Sequence, residues 1–193
     1  EIDNSVHLPK TRPGDLRYID VNGDKQITSN DRVRIHEGAT PRGIYGITLG
    51  VNYKGIGLNM LWQGQTDAKQ LILPQQGNAV TPPTWLFDDR WTPENPDGTY
   101  PASFDRNDPI NNRYSDFWLR NAAFIRLKTV ELSYTLPKSI IQKLHLQNAR
   151  VFVNGFNLLT FSDIKDYDPE LNNVTGSYYP QTRIISGGVN ISF

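Results

Sequence analysis

The residues with the clearest capacity for chemistry form an acidic stretch, DVNGDKQITSND, that runs from Asp20 to Asp31. Oxygen-bearing side chains stand at loop positions 1, 3, 5 and 12, the spacing with which calcium loops surround a hard cation. We predict that this loop binds structural Ca²⁺, in preference to Mg²⁺. The predicted ligands are the side chains of Asp20, Asn22, Asp24 and Asp31 and the backbone carbonyl of Gln26.

Two positions of this loop depart from the calcium pattern. Loop position 6 is Lys25 where glycine is expected, and position 12 is Asp31 in place of the longer, bidentate glutamate. Thr28 is a further ligand, directly or through a water. The alternative interpretation is an acidic turn in which side chains bond to the backbone and no ion is held.

Composition and the remaining polar groups argue against catalysis. The chain has no cysteine and its three histidines, His7, His36 and His145, stand far apart, so neither a thiol nucleophile nor a catalytic triad is indicated. The carboxylates of Asp88, Asp89, Asp105 and Asp108 lie in a polar segment of the kind that is usually solvated. We therefore predict that the chain is not an enzyme.

Charge argues against a nucleic-acid partner. Twenty basic and twenty acidic residues give a formal net charge of zero, with none of the basic excess that phosphate binding requires. Large aromatic side chains, in contrast, cluster in or beside the long polar segments, where they suit either loop cores and a membrane girdle or contact with a ligand. These are Trp85, Trp91, Tyr100, Trp118, Tyr178 and Tyr179. No ligand-binding residue is assigned among them.

Period-two alternation of apolar and polar residues predicts five β-strands. They cover residues 43–53, 56 to about 64, 122–136, 150–160 and 183–193. Lys54-Gly55 predicts a tight hairpin turn between the first two strands, and residues 137–146 predict a short helical turn. In the third strand the apolar phase switches between Leu127 and Val130, which predicts a β-bulge near Lys128 and Thr129.

The lengths of the connections alternate along the chain. The links at 54–55 and 137–148 are short, whereas those at 65–120 and 161–182 are long, and alternate links fall at opposite ends of the strands. Outer-membrane barrels combine short turns on one side with long loops on the other. Five strands would leave two unpaired edges, which hydrocarbon does not tolerate, so the pattern predicts part of a larger membrane β-barrel.

Several stretches resemble the C-terminal part of the SusC/RagA family of TonB-dependent outer-membrane transporters of Bacteroidota. They are PGDLRYIDVNGDKQITSNDR (13–32), YGITLGVNYKGIGLNMLWQG (45–64), DRWTPENPDGTYP (89–101), SDFWLRNAAFIRLKTVELSYTLPKSI (115–140), ARVFVNGFNLLTF (149–161), YDPE (167–170) and YPQTRIISGGVNISF (179–193). The ending that places Gly188 and Ile191 before Phe193 also resembles the signal by which the last strand of a barrel is recognised.

The resemblance implies an all-β chain that supplies about five antiparallel strands of a 22-stranded barrel in the bacterial outer membrane. Residues 1–41 would form an extracellular loop carrying the calcium motif, and residues 42–193 the C-terminal strands with extracellular loops at 65–120 and 161–182. Implied partners are a SusD-like surface lipoprotein, the plug and other strands of the same transporter, outer-membrane lipids, and TonB through a missing N-terminal part. The implied function is import of oligosaccharides or peptides.

Arg126 and Lys128 lie on the third predicted strand, where charge facing lipid would cost about 2 to 4 kcal/mol. We therefore expect both to face the lumen, paired with carboxylates of the plug. Two alternatives to the transporter stay open from the sequence. One is a secreted all-β glycan-binding or adhesion module with a calcium-stabilised loop, and the other is a hydrolase that uses Asp88.

Overall fold

The computed structural model describes residues 7–35, 40–73, 84–102, 109–165, 167–171 and 181–193. The predictions that involve His36, Asp105, Asp108, Tyr178 and Tyr179 lie outside these residues. Within them the chain divides into two compact units. The first comprises 7–35, 71–73, 84–102 and 109–119; the second comprises 40–70, 120–165, 167–171 and 181–193. The sequence-based division into an extracellular loop (1–41) and barrel strands with their loops (42–193) concerns position relative to a membrane, and it stays a prediction.

The described residues form seven strands and two short helices. The strands are β1 (Gly43–Tyr53), β2 (Ile56–Thr66), β3 (Lys69–Leu71), β4 (Leu119–Asn121), β5 (Phe124–Thr135), β6 (Asn148–Ser162) and β7 (Ile184–Ser192). The helices are α1 (Thr84–Asp88) and α2 (Lys138–Lys143), and single 3₁₀ turns cover Ser29–Asp31 and Asp116–Trp118. No helix in this part of the chain is long and apolar enough to cross a membrane.

The second unit is built on one five-stranded antiparallel sheet in the order β1-β2-β5-β6-β7. The five predicted strands are confirmed with ends displaced by a few residues, and α2 confirms the predicted helical turn. The pairing of β3 with β4 was not predicted, because three-residue strands carry too little alternation to be recognised.

The β1–β2 hairpin closes through Lys54 and Gly55, whose φ angles are 48° and 86°. Two consecutive positive φ values are the geometry that matches the twist of a two-residue hairpin. A Cβ atom on Gly55 would lie 2.7 Å from the carbonyl oxygen of Thr135, so glycine is required there by both the backbone angle and the neighbouring strand.

The predicted bulge in β5 is confirmed at Lys128. Leu61 and Trp62 of β2 are adjacent, but they pair with Thr129 and Leu127, so Lys128 is the extra residue. The insertion reverses the inside-outside phase of the strand. Leu127 and Val130 consequently lie on the same face of the sheet although they are three positions apart.

The first unit has a small core of Leu73, Leu86 and Trp118, each at most 1% exposed. Trp85, Tyr100 and Phe117 pack around it, with ring centroids 5.0 Å apart for Trp85 and Tyr100 and 4.8 Å for Phe117 and Trp118. These distances are those of favourable aromatic pairs. The long segment between β2 and β5 therefore folds locally.

Candidate functional site

One face of the five-stranded sheet is apolar from edge to edge and exposed. Residues paired across the strands project to the same side, so cross-strand register defines the face. The row nearest the hairpin turn is Tyr53, Ile56, Tyr134, Val151 and Val189, whose exposed fractions lie between 40% and 67%. The next row is Val51, Leu58, Leu132, Val153 and Gly187. Exposed apolar area this large marks a surface made to contact another apolar phase or a partner.

Along β1 the apolar face has about the length of a transmembrane β-strand, which is about 9 to 11 tilted residues. Alternate residues of β1 from Tyr45 to Tyr53 lie on it, and eight steps of about 3.4 Å span about 27 Å along the strand. Aromatic side chains occur at both ends: Tyr53 and Tyr134 near the hairpin turn, Trp62 and Phe161 towards the other end. An apolar band about 25 Å tall between aromatic girdles is the outer surface of a membrane barrel.

The opposite face carries amides, hydroxyls and ion pairs. One row there contains Gly50, Asn59, Glu131, Asn154 and Ser186. Arg150 of β6 forms a salt bridge with Glu131 of β5. Leu61 and Phe156 also lie on this side, next to the bulge. The face is thus mixed but rich in polar groups, as the wall of an aqueous passage is.

Arg126 is the most heavily bonded charge on the polar face, and only 2% of the residue is exposed. Its Nη2 donates to both carboxylate oxygens of Asp168 at 3.0 Å, Nη1 donates to Glu170 Oε2 at 2.5 Å, and Nε donates to Thr160 Oγ1 at 2.9 Å. Lys128 Nζ lies 3.6 Å from Glu170 Oε2. The expected placement of Arg126 on the inner, polar face agrees with this geometry, but the carboxylates it pairs with belong to its own chain rather than to a plug.

The acidic loop is shaped by bonds from its carboxylates to its own backbone. Asp20 accepts from the amides of Gly23 and Lys25, each at 2.7 Å, and Asp31 accepts from those of Val21 at 3.0 Å and Thr28 at 2.7 Å. The hydrogen bond from the Thr28 amide lowers the pKa of Asp31; partial desolvation opposes the shift, and the Val21 and Asn22 amides add to it. These contacts fold the segment as a compact turn.

The remaining predicted ligands lie in the same turn. Asn22 Oδ1 accepts from the amide of Asp24 at 2.9 Å, and Asp24 Oδ1 accepts from that of Gln26 at 2.8 Å. Across the residues that the structure describes, no three His, Cys, Asp or Glu side chains are grouped as a metal site. The calcium assignment accordingly stays a prediction, and the structure shows an acidic turn held by its own hydrogen bonds.

Comparison with known proteins shows which proteins the chain is similar to. No family model matches the chain. The TonB-dependent receptors P3 and P26 of Formosa agariphila are each 30% identical to it, over 94% and 100% of this chain. The chain spans about a fifth of those relatives, 19% and 21% of their lengths.

Solved structures agree with the sequence relatives. The RagAB peptide transporter matches 94% of this chain and 20% of its own, with 26% identity and a TM-score of 0.67. The RagAB peptide importer in its closed-closed state matches 91% of this chain and 20% of its own, with 27% identity and a TM-score of 0.64. The chain is similar to the SusC/RagA family of TonB-dependent transporters, which confirms the predicted resemblance. The sheet is antiparallel and open at β1 and β7, and together with these structural neighbours this confirms the predicted barrel segment.

The aromatic residues singled out from the sequence pack into the structure where they are described. Trp85, Tyr100 and Trp118 form or cover the first unit's core, as one of the two interpretations expected. Trp91 lies against Gly14, where a Cβ atom would be 2.3 Å from the indole ring. A ligand-contact role for these rings receives no support from their packing.

Sequence reasoning missed the hydrogen-bonding centre of the first unit. Asn111 is fully buried, and its side chain bonds to Asp15, the Leu16 amide and the Ala102 carbonyl. Its own carbonyl accepts from Trp118 Nε1 at 2.8 Å. An asparagine in a polar loop gives no periodic signal, so only its tertiary contacts reveal it.

Proposed function

We propose that this chain forms part of the wall of an outer-membrane importer that takes up oligosaccharides or peptides with energy from TonB. The observation that carries the proposal is the sheet with one polar face and one exposed apolar face that runs for about 27 Å along β1. Such a sheet is stable with lipid on one side and water on the other. Import is non-covalent, and the chain is not catalytic.

The proposed partners follow from the open sheet and from the solved relatives. The backbone groups at the outer edges of β1 and β7 require further strands in a membrane, and the rest of the same transporter would supply these, together with a plug. The RagAB structures are described as a peptide importer in open-open and closed-closed states. For this chain we propose a SusD-like surface lipoprotein as the lid, contact with TonB through another part of the transporter, and a place in the C-terminal part of the barrel.

The alternative of a secreted glycan-binding or adhesion module has no support among the relatives. Such a module would need its own closed apolar interior. In the described sheet Ile44, Val51 and Ile185 are instead between 63% and 74% exposed.

The membrane assignment is tested in the full-length transporter with two matched substitutions. Met60→Lys places a charge in the middle row of the apolar face, where Met60 pairs with Leu49, and Asn59→Lys places the same charge at the neighbouring, exposed position on the polar face. We expect Met60→Lys to reduce the amount of heat-modifiable, membrane-inserted protein, because a lysine at the bilayer midplane costs about 2 to 4 kcal/mol. Asn59→Lys should insert normally. Equal insertion of both variants, or a protein soluble without detergent, would overturn the assignment.

Cargo is tested by uptake of labelled oligosaccharides and labelled peptides in cells expressing the transporter. We expect one of the two classes to enter, and entry to stop when TonB or the surface lipoprotein is deleted. Uptake that continues unchanged without TonB would contradict active import. Membrane insertion of the barrel would be unaffected by that result.

We further propose that the Asp20–Asp31 loop binds Ca²⁺ and stiffens an extracellular loop. The support is the oxygen spacing of Asp20, Asn22 and Asp24 within one turn. Calorimetric titration of the full-length protein with Ca²⁺ and with Mg²⁺ tests this. We expect Ca²⁺ binding to be lost in Asp20→Asn and kept in Asp88→Asn. Equal heats of Ca²⁺ binding in the two variants would mean that the loop is a turn without a metal ion.

A further inference from the structure

Residues 167–171, between β6 and β7, lie against the polar face of the sheet and are called the strap. Three strands bond to it or to the arginine that holds it. Gln65 of β2 donates from Nε2 to the Pro169 carbonyl at 3.2 Å, Arg126 of β5 bonds to Asp168 and Glu170, and Thr160 of β6 accepts from Arg126 Nε. The strap is therefore fixed to β2 and β5 directly and to β6 through Arg126.

The contact is buried, which separates it from an ordinary surface ion pair. The side chains of Arg126 and Asp168 are 3% and 6% exposed, and that of Glu170 is 24% exposed. Three different nitrogens of the Arg126 guanidinium reach three different side chains: Nη2 bonds to Asp168, Nη1 to Glu170 and Nε to Thr160. The single ammonium group of a lysine cannot reproduce that arrangement. Buried pairs of this kind specify one arrangement, because removing one partner leaves an uncompensated charge.

The strap is also preorganised to present its carboxylates. Asp168 Oδ1 accepts from the Glu170 amide at 2.9 Å, and the Asp168 carbonyl accepts from the Leu171 amide at 3.1 Å. Pro169 between them restricts the backbone and is itself buried. Asp168 and Glu170 together neutralise Arg126 and Lys128.

We propose that Arg126 is a positioning residue that locks the strap onto the polar face, so that the strap, and not β5, forms the passage-facing surface at this level of the sheet. Arg126 is thereby withdrawn from passing cargo, and Lys128, whose side chain is 33% exposed, lies beside the Glu170 carboxylate. That the polar face borders a passage rests on the proposed function; the lock itself rests only on the contacts above.

The test uses hydrogen exchange with mass spectrometry on the full-length transporter in detergent. Arg126→Gln removes the lock, and Arg150→Gln is the matched control, because Arg150 is also ion-paired on the polar face but bonds to Glu131 within the sheet. We expect exchange in peptides covering 167–171 to rise about tenfold or more in Arg126→Gln, since charged hydrogen bonds are lost, and to stay unchanged in Arg150→Gln. Unchanged strap exchange in a folded Arg126→Gln barrel would overturn the proposal.

A second variant keeps the test decisive if Arg126→Gln fails to assemble. Asp168→Asn combined with Glu170→Gln leaves every strand residue in place, and it should release the strap as far as Arg126→Gln would. Arg126→Lys should give intermediate exchange. Protection of the strap in the double variant would overturn the lock.

A transport readout separates the lock from the proposed function. Strap release should raise the apparent KM for cargo while the amount of inserted transporter stays constant, and Arg150→Gln should leave KM unchanged. Exchange that responds as expected in a protein that imports nothing would keep the lock and remove the importer. Unchanged strap exchange in Arg126→Gln of a transporter that still imports cargo would remove the lock and keep the importer.

Discussion

The side-chain amide of Asn111 donates a hydrogen bond of 2.7 Å to Asp15 Oδ1, joining residues 96 positions apart in the sequence. The same amide donates to the Ala102 carbonyl at 3.1 Å, and Asn111 Oδ1 accepts from the Leu16 amide at 2.8 Å. One fully buried side chain thus connects the polar leader to two parts of the long segment between β2 and β5.

Replacing Asn111 with leucine should destabilise the first unit by about 3 kcal/mol, because each buried polar group left unpaired costs about 1 to 3 kcal/mol. The measurement is the rate at which protease cleaves the full-length protein within residues 7–35. Asn30→Leu, at an exposed position of the acidic loop, is the control. Equal protease resistance in Asn111→Leu and the parent protein would show that this network does not hold the leader.

Gly188→Ala should be destabilising where Gly187→Ala is tolerated. A Cβ atom on Gly188 would lie 2.5 Å from Phe152 Cζ, whereas one on Gly187 would meet its nearest atom, the Phe152 carbonyl oxygen, at 3.4 Å. Overpacking of this kind costs about 1 to 3 kcal/mol. The urea midpoint of the inserted barrel, followed by heat-modifiable mobility, should fall for Gly188→Ala alone. A fall of equal size for the two glycines would contradict the stacking of Phe152 on Gly188.

Deleting Lys128 should prevent barrel insertion, while Lys128→Ala should not. Without the bulge residue, Leu127 and Val130 can no longer share the apolar face, and Arg126 turns towards lipid. An arginine facing lipid is destabilising, by at most about 2 to 4 kcal/mol, the value at the midplane. The inserted fraction in outer-membrane preparations measures the effect. Normal insertion of the deletion variant would mean that the register adjusts elsewhere in β5.

The acidic turn should loosen as the pH falls below the ordinary aspartate pKa of about 3.9. Because folding lowers the pKa of Asp31, its contribution to stability is present above the unfolded pKa and is lost as the pH falls through the folded one. Hydrogen exchange of the Thr28 and Val21 amides, corrected for the intrinsic rate, should rise as the pH falls from the unfolded pKa of Asp31 through its lower, folded pKa. Asp31→Asn should show the fast exchange already at neutral pH, since an amide offers one acceptor oxygen in place of two. Protection that is equal in Asp31→Asn and the parent at pH 7 would remove Asp31 from this role.

The sequence by itself determined the five strands of the main sheet, the hairpin turn, α2 and the bulge. Each is written in local features: period-two alternation from Tyr45 to Tyr53, the Lys54-Gly55 pair, and the change of apolar phase after Leu127. It also predicted an apolar face for β1, because backbone alternation places its odd-numbered residues on one side, whereas β6 carries apolar residues in both phases.

Only the tertiary structure decided which polar residues meet. Arg126 and Asp168 are 42 positions apart, and Asp15 and Asn111 are 96 apart. No periodicity links such residues. Chain folding brings them together, and the cost of burying an unpaired polar group then selects their partners. Alternation involves neighbouring residues and is therefore visible in the sequence. A buried polar pair joins residues that are distant in the sequence, so it is visible only in the tertiary structure.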